Sequence, residues 1–228
     1  MSNHQQGFTF IELMIVVAII ATIASVAVPN LLSARLNANE SAALATMRSI
    51  SSAQAQCRAT GAIDVNANGQ GEYGFFGELS GRVVVRGGTQ LIDPTPLSTA
   101  FGNVAAARVS RSGYLFQMYL PSPTAVGLAE DPTGGDPDNG QGVDPGRAET
   151  LWCCYAWPQS QRSSGMRTFF INQGGDVLAT NAAVVPYSST TTMPDFSAAF
   201  VAGASAFMSV TTAANSLGQD GNTWVVVQ

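Results

Sequence analysis

Residues 7–14 read GFTFIELM, and the stretch they open, FTFIELMIVVAIIATIASVAV at 8–28, carries a single charged side chain, Glu12. At about 1.5 Å per helical residue, such a stretch spans roughly the 30 Å hydrocarbon core of a bilayer. A run apolar on every face is hard to bury in a chain this small, so it predicts a membrane-spanning helix rather than a core helix. A secretory signal peptide would begin with a basic region and carry only about 7–15 apolar residues. Here MSNHQQG at 1–7 holds no Lys or Arg, and the apolar run is longer.

Glu12 then demands a reason. A carboxylate within a membrane span costs on the order of 2.5–3.5 kcal/mol even on the lenient insertion scale, so it needs a partner or a function. No Arg occurs before Arg35. A cut after Gly7 would create a free amine on Phe8, about one helical turn from Glu12 on the same face. An acid in the first turn also suits the positive end of the helix dipole.

Composition narrows the remaining choices. The 228 residues are 46% hydrophobic and 11% charged, enough for one or two compact domains with a real core. With 15 acidic against 10 basic residues, the balance has the wrong sign for a nucleic-acid partner. Every basic residue is Arg, and His4 is the sole histidine. A Walker-type phosphate loop or a Schiff-base enzyme would need a lysine, and Ser-His or Cys-His nucleophile pairs and imidazole zinc sites would all fall on His4. The acids are scattered among Gly, Pro and Asn and read as loop residues, so no enzyme is expected.

The segment G-F-T-F-I-E-L at 7–13, followed by this apolar helix, resembles the class III signal of type IV pilins and type II secretion pseudopilins. The resemblance covers about the first quarter of the chain. It implies cleavage between Gly7 and Phe8 by a prepilin peptidase and N-methylation of Phe8. It also implies that Glu12 neutralises the terminal amine of a neighbouring subunit as each pilin leaves the bilayer for a filament. Pro29 falls where the family has its helix-kinking proline. The family's leader is usually basic, and MSNHQQ is not.

The implied organisation is a leader at 1–7, a transmembrane and polymerisation helix at 8–28, an amphipathic continuation at 29–60 and a β-rich head at 61–228. The fold class expected is α+β and pilin-like, a long N-terminal helix packed on an antiparallel sheet. Between Pro29 and Gly61 there is no other Gly or Pro, and Leu36, Ala43, Met47 and Ile50 form one apolar stripe to lie on the head. Pro29 deprives the Ser25 carbonyl of its helical hydrogen bond, which predicts a bend or loosened stretch over 22–29. Strands are expected in RVVVR at 82–86, GYLFQMYLP at 113–121, TLWCCYAWP at 150–158 and TWVVV at 223–227, with a hairpin over 167–180 turning at Gln173-Gly174-Gly175. DFSAAFVAGASAFM at 195–208 spaces Phe196, Phe200 and Phe207 like one helix face, with Asp195 as cap.

Two loops hold oxygen ligands. In DVNANGQGE at 64–72, Asp64, Asn66, Asn68 and Gly69 fit the opening of a calcium loop, but its twelfth position is Phe75, so Glu72 would have to substitute. The other reading is an Asn-Gly turn joining helix to sheet, with no cofactor required. The second loop, EDPTGGDPDNGQGVDP at 130–145, clusters Glu130, Asp131, Asp136, Asp138 and Asp144 and reads as a solvated surface loop. Cys57 lies near the end of the long helix, while strand alternation sends the adjacent Cys153 and Cys154 to opposite sheet faces. A bridge from Cys57 to one of the two would staple helix to sheet if the head matures outside the cytoplasm; the other reading is three buried thiols.

The functional expectation is a non-enzymatic structural subunit. It enters the inner membrane as a single-pass precursor in contact with lipid and is processed by the peptidase. An inner-membrane assembly platform then polymerises it with copies of itself into a periplasmic or extracellular filament. A pilus subunit for adhesion or motility and a secretion pseudopilin share this N-terminus. The alternative is a tethered or secreted ligand-binding module whose ordinary export signal is cut after SVA at 25–27.

Overall fold

A computed structural model describes residues 8–138 and 141–227. One helix, α1, runs Phe10–Thr60. It stops where Gly61 takes the left-handed φ of 61° and its N–H returns to the Arg58 carbonyl, a conformation glycine adopts without Cβ strain. The helix continues through Pro29. Nearby, the Thr22 and Ser25 hydroxyls donate to the carbonyls of Ala18 and Thr22.

The rest of the chain builds an eight-stranded antiparallel sheet. Its strands are β1 (Val109–Arg111), β2 (Tyr114–Pro121), β3 (Gly127–Ala129), β4 (Cys153–Pro158), β5 (Thr168–Asn172), β6 (Leu178–Thr180), β7 (Ser216–Leu217) and β8 (Thr223–Val226). They lie in the order β1-β2-β4-β5-β6-β8-β7, with β3 also paired to β2. Two single-turn helices, α2 (Phe76–Leu79) and α3 (Pro145–Ala148), and a 3-10 turn at Thr99–Gly102 fill the connections. This is the expected α+β, pilin-like architecture.

Sheet alternation sorts the core into two layers. Phe116, Met118, Cys154, Ala156, Phe169 and Ile171 face α1, where Ala43, Met47, Ile50 and Cys57 are buried against them. Leu115, Tyr119, Cys153, Tyr155, Trp157 and Phe170 face the other way, under a cover drawn from residues 182–213 and Trp224. The central strands are covered on both faces, which is why GYLFQMYLP and CCYAWP are nearly continuous apolar runs. Of the expected stripe, Leu36 is only half buried, while Ala43, Met47 and Ile50 are fully buried.

Two expected elements are absent. RVVVR is not a strand: the Arg82 and Val83 N–H groups both donate to the Gly77 carbonyl and Val85 N–H to Gln90, which turns Arg86 inward. Residues 195–208 are not a helix. Phe196 packs on Tyr119 and Phe200 on Phe170, but Phe207 is largely exposed. The Val201 and Ala202 N–H groups donate to Thr211 and Leu217 instead of one helical turn back. Three aromatic residues at helical spacing here serve a non-helical cover strapped to the sheet.

Candidate assembly site at the N-terminal helix

Every residue from Phe8 to Arg35 is exposed on the isolated chain. Phe8, Phe10, Ile11, Leu13, Ile20, Ile23, Leu31 and their neighbours therefore present an apolar cylinder that none of the described residues covers. The helix is long and apolar enough near its N-terminus to cross a membrane. From Glu40 onward it docks on the head. The Glu40 carboxylate accepts the Met166 N–H at 2.9 Å, the Arg167 N–H at 3.2 Å and the Arg167 Nε–H at 2.7 Å. Asn39 Nδ2 donates to the Ser164 carbonyl.

At the other end, Thr9 caps the helix and Glu12 closes the box. The Glu12 N–H donates to Thr9 Oγ1 at 3.3 Å, and Glu12 Oε2 accepts the Thr9 N–H at 2.8 Å and the Thr9 hydroxyl at 2.6 Å. The pattern T-x-x-E at 9–12 is a readable capping box, a signal that the apolar run around it masks. Glu12 thus has local donors within its own chain while lying one turn from Phe8. Gly7, the other half of the proposed cleavage site, lies outside the described residues.

The side-chain oxygens of the 64–72 loop are engaged within the protein. Glu72 is fully buried and both its oxygens are engaged: Oε2 pairs with Arg86 Nη2 at 2.9 Å and Oε1 accepts the N–H of Val65, within the loop, at 2.7 Å. Both Asp64 oxygens are taken by the Asn68 and Gly69 N–H groups, and Asn66 and Asn68 reach Glu149 through their amide groups. Among the described residues no three His, Cys, Asp or Glu side chains gather as a metal-binding group. The geometry is that of an Asx turn closing helix to sheet.

All three cysteines are free and buried in this structure. Cys154 shares the α1 layer with Cys57 and Cys153 lies in the opposite one, as alternation requires. The Cys57 thiol points at the Glu72 carbonyl, 3.6 Å away. Burial, then the nearby Glu78 charge, push that thiol up to about 12, so it is not a ready nucleophile.

The reading of 130–145 as wholly solvated fails at Glu130, which is 2% exposed. Asp136 accepts the N–H groups of Asp138, Gly142 and Val143, and Asp144 caps α3, so these acids hold loop backbone in place. A second buried cluster escaped the sequence reading altogether. Arg86 sits between Glu72 and Glu78, bonding Glu78 Oε2 at 2.7 Å, with all three side chains at most 1% exposed. Burial holds the Glu72 carboxyl above its usual range despite that guanidinium.

Residues 2–28 match the family described as the prokaryotic N-terminal methylation motif. With the apolar helix, this defines a type IV pilin-like class III signal at the head of the chain. The chain is similar to the type IV wide pilus major component PilA4 of Thermus thermophilus, 58% identical over 38 residues. That likeness covers 17% of this chain and 29% of the relative's length. No solved structure matches the chain.

Proposed function

We propose that the chain is a structural subunit of a type IV pilus or pseudopilus filament. It is cut between Gly7 and Phe8 by a prepilin peptidase, methylated on the Phe8 amine and polymerised through α1. The observation that carries this reading is the exposed apolar cylinder of residues 8–35, with Glu12 as its one charge before Arg35, most of it lying within the methylation-motif match at 2–28. An exposed apolar surface of this size needs lipid or other copies of itself around it. In the bilayer, Glu12 is held by Thr9 within its own chain. During assembly its carboxylate neutralises the Phe8 amine of a neighbouring copy, and the ion pair lowers the cost of leaving lipid in the right register. The head forms the filament surface and carries no catalysis.

Intact-mass measurement of the mature protein tests the reading. The expected N-terminus is N-methyl-Phe8 on protein that sediments as filaments after shearing. A terminus at Val28 would instead show an ordinary export signal and overturn the proposal. Abundance in sheared surface filaments separates a major pilin from a pseudopilin.

A further inference from the structure

Immediately after β3, Glu130 turns into the interior. Its Oε1 accepts two backbone N–H groups, from Gly77 in α2 at 2.7 Å and from Gly135 at 2.9 Å, so one oxygen ties the 131–136 turn to α2. The approach needs glycine at 77, where a Cβ would stand 2.9 Å from Val83 Cγ2 and 3.1 Å from Glu130 Oε1. Glu130 Oε2 is buried with no hydrogen-bond partner among the described residues. The turn is closed by Asp131 N–H to Gly135 O at 2.8 Å and Gly134 N–H to Asp131 O at 2.9 Å.

The charges around Glu130 do not balance. Glu78 on α2 and Glu72 share the guanidinium of Arg86, and among the described residues the third buried carboxyl, Glu130, has no cation of its own. Cys154 on β4 faces it as a neutral thiol, raised by burial and by Glu130 itself. Asp131 and Asp136, in the turn, accept the Thr133 and Gly142 N–H groups with their carboxylates. Burial, with Glu78 adding to it, pushes the Glu130 carboxyl up to about 7 against the pull of the Gly135, Gly77 and Phe76 N–H groups. Beside this turn lies a cleft of about 410 Å³, walled by Val83–Gly88 on one side and by Asp131, Thr133, Gly134 and Asp136 on the other.

We propose that Glu130 is a proton-operated latch: protonated on Oε2, it holds the 131–136 turn shut against α2, and ionised, it releases that turn and widens the cleft. In the protonated form Oε1 remains a neutral acceptor for both N–H groups, while the hydroxyl occupies the oxygen that has no donor. Loss of the proton to solvent leaves a full charge in a dry site beside Glu78. Outward movement of the turn admits water to that charge; Asp131 to Gly134 and Asp136 are already partly or fully exposed, and Gly135 is the buried residue that the movement uncovers. The head then presents a closed surface in acid and an open one above neutral pH.

Amide exchange on the full chain in detergent micelles, corrected for intrinsic rates between pH 5.5 and 8.5, tests the latch. The Gly135 and Gly77 amides are expected to lose about tenfold or more of their protection with a midpoint near pH 7, and Glu130→Gln is expected to abolish that dependence. Protection of Gly135 that does not change with pH, or a Glu130→Gln chain that keeps the wild-type profile, overturns the proposal. Should the variant misfold, the carboxyl carbon-13 shift of Glu130 in the wild-type chain decides: a midpoint near neutrality supports the latch, and one below about pH 5 refutes it.

Discussion

Replacing Arg86 with Met is expected to be among the most damaging single changes in the head. Arg86 is the only cation reaching Glu72 and Glu78 among the described residues, at 2.9 and 2.7 Å, and those carboxylates are 0% exposed. Removing one member of a buried ion pair typically costs about 3–5 kcal/mol, because the partner's charge stays buried without compensation. Against a total stability of about 5–15 kcal/mol, that is a large share. At about 2–4 °C per kcal/mol for a domain of this size, a loss of ~4 kcal/mol lowers Tm by roughly 8–16 °C. Thermal unfolding of the full chain in detergent can be followed by the buried Trp152, Trp157 and Trp224. Two further results separate lost charge balance from lost packing. The triple variant E72Q/R86M/E78Q, which removes all three charges, should regain most of the loss. The R86M deficit should also shrink on acidification, because Glu72, already held above its usual range, takes up a proton more readily without the guanidinium. An R86M chain within about 1 kcal/mol of wild type, or a triple variant no better than R86M, would refute the reasoning.

Glu12→Val, expressed without wild type, should leave cleavage at Phe8 intact while abolishing filament yield; normal filament yield would remove the proposed pairing. Thr9→Val keeps the side-chain shape but deletes the hydroxyl that caps α1 and donates to Glu12, and should cost about 1 kcal/mol, read as faster amide exchange at the start of the helix. The buried Cys57, Cys153 and Cys154 should all resist alkylation in the native state and all react once unfolded, whereas an intact mass showing a bridge would contradict the free-thiol arrangement. With its carboxyl raised from 4.5 to about 7, Glu130 binds its proton more readily folded than unfolded. Its contribution is therefore full below about pH 4.5 and is lost as pH rises through 7, up to about 3 kcal/mol, and calorimetry should show Glu130→Gln flattening that slope.

Much of this protein follows from local pattern. That the N-terminal part of α1 is long and apolar enough to cross a membrane is legible because transfer into lipid depends on the composition and length of one contiguous segment, and the stretch 8–28 supplies both. The helix end at Gly61 and the strands within 113–121, 150–158 and 167–180 follow from backbone preferences and alternation. The Thr9–Glu12 box was equally available, since both partners lie three residues apart.

Only the tertiary structure decided where the head's charges go. Glu72 and Arg86 lie 14 residues apart, and Gly77 and Glu130 lie 53 apart, so no local spacing marks them as partners. The valines before Arg86 made RVVVR resemble a strand, yet Glu78 on α2 accepts both the Arg86 N–H and Nη1, and Glu72 and the Tyr73 carbonyl accept Nη2, so the guanidinium is held inward. Likewise Glu72 looked like a loop ligand, and Glu130 like one more solvated acid, until folding removed both from water. Desolvation is a property of the surroundings a side chain ends up in, and for Glu72, Arg86 and Glu130 those surroundings are assembled from distant parts of the chain.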